Sequence, residues 1–229
     1  MASFNTPTIT PAAVLWDMDG TLIDSEPYWV ASEIELVEQF GGTWTHQDGL
    51  TLVGKGLPES ALVLRDAGVD LDIDSIIATL TDRVVAMLSE SVPWRPGAVS
   101  LIHAIAAAGI PQGLVTMSLN RMASLVASLI PHRPLSAIVS GDQVERSKPH
   151  PDSYLEGARR LGVDVRECVA FEDSPSGVAS AHSAGAVTIG LPNLVDISST
   201  PADEFWESLA EKSFPDVVAT YRRVKGGRS

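Results

Sequence analysis

Hydrophobic positions along this chain fall into two patterns, short continuous runs and stripes at helical spacing. The run AAVLW at 12–16 ends at Asp17 and reads as a buried strand entering a polar loop. From Tyr28 to Phe40, the residues Trp29, Ile34, Leu36, Val37 and Phe40 recur at roughly helical spacing, and Gly41 and Gly42 then stop the helix. Segments 58–67 and 74–90 also read as helices, the second with Ile76, Ile77, Leu80, Val84, Val85 and Leu88 three or four apart. Residues 27–90 are therefore expected to be helix only.

The segment VPWRPGA at 92–98 punctuates the chain, and the pattern then changes. Helices over 97–108, 120–129, 151–161 and 175–184 precede apolar strands at 113–116, 137–140, 168–173 and 187–191. Such alternation predicts an α/β fold with a Rossmann-like parallel sheet and helices on both faces. The strand at 12–16 belongs to that sheet, so 27–90 is an insertion after the first strand. Residues 1–11 read as a loose arm, and 202–222 as one more helix with a frayed end.

Charge narrows the possible partners. Asp plus Glu number 29 against 16 Lys plus Arg, a net charge of −13. Nucleic-acid backbones and anionic lipid both call for a basic face, so neither is expected as a partner. Cys168 is the single cysteine and cannot form an intrachain disulfide; in the apolar run CVAF it reads as a core residue. The start MASFNTPTITPA has neither a basic end nor an apolar signal stretch, and no apolar run approaches a membrane span. A cytoplasmic location is the expectation.

In an open parallel sheet, ligands bind beyond the carboxyl ends of the strands. Four strand ends here carry chemistry: Asp17 and Asp19, Thr116 and Ser118, Lys148, and Glu172 with Asp173. Each residue has a plain reading by itself, as a surface turn, a helix cap or a solvated lysine. Parallel topology gathers them at one edge, and there the plain readings lose force. Four carboxylates together call for a cation, and oxygen-only ligands suit Mg²⁺. Lys148 adds positive charge, Thr116 a hydroxyl, and the turn at Gly20 and Thr21 backbone N–H groups for an anion. A phosphoryl group is the guest such a site suits.

The segments DMDGTLIDSEP at 17–27, VTMS at 115–118, SKPHPDSYLEGARRLGV at 147–163 and FEDSPSGVASAHSAG at 171–185 resemble the haloacid dehalogenase superfamily. Within it they are most similar to the β-phosphoglucomutase-like and sugar-phosphate phosphatase subfamily. The resemblance implies a catalytic core of 1–26 and 91–229 and a helical cap of 27–90. It implies Asp17 as the nucleophile that forms an aspartyl-phosphate, and Asp19 as the general acid and base. Thr116 would hold the phosphoryl group, and Lys148 would order nucleophile and phosphate. Mg²⁺ would be held by Asp17, Asp173 and the Asp19 carbonyl, with Glu172 behind it or bound through water.

Related sugar-phosphate mutases carry a histidine a few residues past the DGT turn, where this chain has Trp29. That departure favours a phosphatase acting on a small phosphate monoester, a sugar or polyol phosphate. A mutase is the alternative, and a binding protein on the same scaffold a third reading. The loop VGKGLPES at 53–60 is expected to face substrate, with Lys55 either in contact or a solvated turn lysine. Asn120 and Ser118 are candidates near phosphate or sugar, and Glu26 and Asp24 near the cap hinge. A chain with its own cap is expected to act as a monomer.

Overall fold

The computed structural model describes residues 10–227, so most of the expected arm at 1–11 lies outside the described residues. Strand β1 (Ala13–Trp16) leads into helices α1 (Glu26–Gln39), α2 (His46–Leu50), α3 (Leu57–Asp66) and α4 (Ile73–Glu90). Alternation follows: α5 (Ala98–Ala107), β2 (Gln112–Val115), α6 (Asn120–Leu129), β3 (Ala137–Val139), α7 (Asp152–Leu161), β4 (Cys168–Glu172), α8 (Pro175–Ala184) and β5 (Val187–Gly190). The chain closes with β6 (Glu204–Phe205) and α9 (Phe214–Gly227). The strands form one parallel sheet in the order β3-β2-β1-β4-β5-β6, the α/β architecture that the alternation predicts.

Side chains alternate across a strand, and β1 shows it cleanly. Val14 and Trp16 enter one apolar cluster with residues of α5, α6 and α9, while Ala13 and Leu15 enter a second with residues of α7 and α8. All four are fully buried, so both faces of the sheet are covered. Cys168 lies in the second cluster, as a core residue. Trp16 stacks on Phe171 with ring centroids 4.3 Å apart, and Trp206 packs on Phe171 at 5.4 Å. The indole N–H of Trp16 donates to Gln112 Oε1 at 2.9 Å, and Gln112 Nε2 donates to the Ile102 carbonyl at 2.9 Å.

Helices α1, α3 and α4 pack around a third cluster that includes Leu36, Val37, Leu52, Leu64, Ile76 and Leu80. Helix α4 also sends Val84 and Leu88 into the first cluster, which ties the helical segment to the sheet. Helix α2 falls outside the helices that periodicity predicts, because THQDG has no apolar stripe. A capping box makes it: Asp48 N–H donates to Thr45 Oγ1, and Thr45 N–H donates to Asp48 Oδ2.

The tail corrects the expected helix over 202–222. Glu204 and Phe205 pair with β5 as an edge strand, and Trp206 and Leu209 drop into the core. Helix begins at Phe214, where Ser213 N–H and Oγ both donate to Asp216 Oδ2, and it runs beyond the expected end to Gly227. Long-range packing of Trp206 outweighs local helical tendency there.

From β1 the chain builds outward through β2 to β3, then returns to the other side for β4, β5 and β6. The loops after β1 and β4 thus diverge at a switch point and leave a crevice. Replacing Gln112 by Ala strands the buried Trp16 N–H. The expected loss is about 1–3 kcal/mol of unfolding free energy, read by urea titration; an unchanged midpoint would contradict the pairing.

Candidate active site

The sheet's own hydrogen bonds aim the first functional groups. Asp17 N–H donates to Phe171 O at 3.0 Å and Thr116 N–H to Val139 O at 2.9 Å, one residue past β1 and β2. The ladder therefore carries both residues to the same edge. Lys148 arrives from the long loop after β3, and its ammonium is almost wholly buried. Nζ donates to Asp17 Oδ1 at 2.8 Å, Glu172 Oε1 at 2.6 Å and Val115 O at 3.0 Å. These contacts use all three ammonium protons, so Lys148 acts on a bound anion through its charge.

Glu172 is fully buried and faces this ammonium rather than the cavity. Tyr154 donates its hydroxyl to Glu172 Oε1 at 2.7 Å, and Ser174 Oγ donates to Oε2 at 3.2 Å. Gly177 makes the room: a Cβ there would stand 1.9 Å from Glu172 Oε2. Gly20 does the same for Asp173, whose Oδ2 would lie 1.9 Å from an added Cβ, and its φ of +82° also suits glycine. Asp19 is held by hydroxyls. Ser25 Oγ donates to its Oδ1 at 2.6 Å, and Ser118 and Thr116 donate to Oδ2 at 2.7 and 3.3 Å.

Carboxylate oxygens of Asp17, Glu172 and Asp173 lie within 4.8 Å of one another. Asp17 Oδ2 is buried without a hydrogen-bond partner. Burial, then the charge of Glu172, pushes the Asp17 carboxyl up to about 7, with Lys148 pulling the other way. Burial and then Asp17 raise Asp173 well above the carboxylate range. Burial works against the Lys148 charge, but Asp17 and Glu172 outweigh it and hold the ammonium above the ordinary lysine range. An orphaned oxygen among carboxyls that resist ionisation fits a cation-binding site, and an all-oxygen set fits Mg²⁺.

These groups open into one cavity of about 580 Å³. Of the residues the sequence singles out, Asp17, Asp19, Gly20, Glu26, Lys55, Thr116, Ser118, Lys148 and Asp173 line it. Three do not. Thr21 is fully buried away from it. Asn120 sits at the start of α6, where its N–H donates to Asp142 Oδ1 at 3.1 Å. Glu172 lies beneath it. The anion-facing turn also needs correction at Gly20, whose N–H donates to Ile23 O at 2.8 Å. The loop at 53–56 and Trp29 line the cavity, and Lys55 Nζ stands 3.5 Å from Glu59.

Ser25, Tyr154, Gly177 and Glu33 escape the sequence reading. Gly177 lies in the quoted segment FEDSPSG, so the signal was present without its reason. Glu33 stands between apolar positions of α1 and gave no signal. It is 4% exposed, yet it lines the cavity and accepts from Trp44 Nε1 at 3.2 Å. Burial pushes its carboxyl up to about 8, with Glu26 adding to the rise, while burial followed by Asp19 and Asp24 pushes Glu26 up to about 7.

Two outcomes are expected from this geometry. Gly177→Ala drives Glu172 off Lys148, and activity should fall at least as steeply as stability, measured by turnover beside thermal melts. Glu33 has a folded pKa above its unfolded value, so the folded state holds the extra proton and stability is lost as pH rises from about 4.5 towards 8. The melting temperature of metal-free protein should fall between pH 5 and 8, and less steeply in Glu33→Gln; parallel slopes would refute the assignment.

A family model described as haloacid dehalogenase-like hydrolase matches residues 14–191. Hexitol phosphatase A from Escherichia coli (strain K12) is 33% identical over 188 residues, covering 77% of this chain and 81% of the relative. Fructose-1-phosphate phosphatase YqaB from the same strain is 31% identical over 180 residues, covering 76% and 93%. Among solved structures, CbbY from Rhodobacter sphaeroides in complex with phosphate has a TM-score of 0.80 at 27% identity, covering 88% of this chain and 96% of that one. With the family match running from β1 to the end of β5 and relatives of like length, the chain belongs to the haloacid dehalogenase-like hydrolases.

Proposed function

We propose that the protein is a phosphatase that hydrolyses a small organic phosphate monoester, a sugar or polyol phosphate, with Asp17 as nucleophile. The observation that carries this reading is the buried contact of Asp17 with Lys148, 2.8 Å, at the floor of a cavity that also holds Asp19. Relatives named for hexitol phosphates and fructose 1-phosphate support the substrate class.

Asp17 attacks phosphorus in line while the bond from phosphorus to the ester oxygen breaks. Lys148 favours the ionised form of Asp17 against the pull of burial and Glu172, and offsets the charge of the phosphoryl oxygens. The hydroxyls of Thr116 and Ser118, now on Asp19, are positioned to donate to those oxygens as well. Asp19 gives its proton to the departing alcohol oxygen. It then takes a proton from the water that cleaves the aspartyl-phosphate, and inorganic phosphate leaves with Asp17 restored. Asp17 and Asp173, with the Asp19 carbonyl, are the groups that would hold Mg²⁺, which supplies charge neutralisation for the phosphoryl oxygens when bound. Glu172 serves by fixing Lys148.

On this reading residues 27–90 act as the cap over a core of 1–26 and 91–229, and close off bulk water during transfer. We also propose that the protein acts as a monomer. No helix among the described residues is long and apolar enough to cross a membrane, in keeping with the cytoplasmic location we propose. Trp29 lines the cavity, and its indole offers no group to shuttle a proton, which weighs against a mutase.

Inorganic phosphate should be released from hexitol and fructose phosphates with Mg²⁺ present and not after chelation. Asp17→Asn should lose roughly 10³-fold or more of kcat. Full activity in that variant would sink the mechanism, and interconversion of two sugar phosphates without phosphate release would restore the mutase. Mg²⁺ should raise the melting temperature of the wild type, and by less in Asp173→Asn.

A further inference from the structure

The proposed chemistry occupies one end of the cavity and leaves a wall of it unused. Helix α1 turns Glu26, Trp29 and Glu33 into the cavity. Their spacing of three and then four puts them in one stripe, while Val30, Leu36 and Val37 of the same helix are buried. Seven residues of helix separate the two carboxyls by about 10 Å along the axis. Glu26 stands nearer the reacting end, since its carboxyl senses the charge of Asp19. Glu33 stands at the far end, beside the indole N–H of Trp44.

A buried carboxyl is costly unless something answers it. Glu33 accepts that one hydrogen bond, to Oε2. Two nearby cations are engaged elsewhere. Arg83 of α4 binds Ser32 O and Gln39 and lies 3.4 Å from Glu35. Lys55 faces Glu59. Among the described residues no ion pair reaches Glu26 or Glu33. The Trp44 indole N–H needs only one acceptor, so the fold gives no reason for the second carboxyl oxygen there.

The stripe sorts possible ligands by chemistry. A second phosphate would meet two carboxyls and a lysine already offset by Glu59. A plain alkyl chain would leave both carboxyls unanswered. A chain of hydroxyls answers them, because an uncharged carboxyl both donates and accepts, as a hydroxyl does. Burial favours that uncharged form at both positions. Between them, the apolar face of Trp29 can take the C–H face of the same chain.

We propose that Glu26, Trp29 and Glu33 form the specificity wall of this protein, which reads an uncharged polyhydroxyl chain running from the phosphoryl group towards Glu33. The inference rests on the phosphatase reading and adds what selects the ester: hydroxyls, enough length to reach Glu33, and no second charge.

The test is the ratio of kcat/KM for a hexitol phosphate over glycerol phosphate. Glu33→Leu is expected to lower that ratio about 10- to 100-fold, and Glu33→Gln, which keeps a donor and an acceptor, to hold it within about three-fold. Wild-type protein is expected to prefer the hexitol phosphate to n-hexyl phosphate and to a hexitol bisphosphate. A ratio unmoved by Glu33→Leu overturns the proposal. So does equal turnover of hexyl and hexitol phosphates, a comparison that stands even where Glu33→Leu fails to fold. A loss in Glu33→Gln as deep as in Glu33→Leu, with a wild-type preference for an aminoalkyl phosphate, overturns it in favour of charge recognition. Should no ester be hydrolysed, the phosphatase reading fails. Calorimetric binding of hexitol phosphate against hexyl phosphate then decides the wall by itself, with equal affinity overturning it.

Discussion

The ammonium of Lys148 is buried between Asp17 and Glu172, with Asp173 close by, and the surrounding loops are arranged to keep it there. Burying a charge is expensive unless its partners and hydrogen bonds are complete. Here they are complete for the ammonium and incomplete for the acids. Three carboxylates and one ammonium leave two negative charges over if all ionise. The local imbalance raises Asp17 and Asp173 and leaves Asp17 Oδ2 without a partner. A divalent cation of oxygen-loving character is the simplest remedy.

That constraint explains features that look incidental one by one. Tyr154 and Ser174 hold Glu172 so that Glu172 can hold Lys148. Gly177 has no side chain because the Glu172 carboxylate occupies its place, and Gly20 has none because Asp173 occupies its own. The stack of Trp16 on Phe171 sits just before Asp17 and Glu172 in their strands, so the core of the sheet sets the spacing of the two acids. Substitutions in this apolar stack are thus felt at the charged edge.

The far wall of the cavity follows a different rule. The ion cluster suits any phosphoryl group and has no means of choosing its ester. Choice falls to side chains that meet the rest of the molecule, and α1 supplies two uncharged-leaning carboxyls around an indole. On the proposed reading, reaction and selection are carried by separate elements, the strand ends of the sheet and the helices between β1 and β2. Such separation lets one change while the other stays.

The sequence by itself determined the α/β class, the order of the main elements and the loops that carry Asp17, Asp19, Thr116, Lys148 and Asp173. Strand runs and helical stripes are local patterns, and parallel topology alone puts those loops at one edge. Only the tertiary structure decided what each group touches. It removed Thr21 and Asn120 from the cavity, and it showed that Glu172 serves Lys148. It also broke the expected tail helix into a short edge strand and α9, because Trp206 packs on Phe171. Glu33 was invisible beforehand for the same physical reason. A glutamate in a helical stripe looks solvated until the helices packed around it exclude water, and that exclusion belongs to the fold rather than to any stretch of sequence.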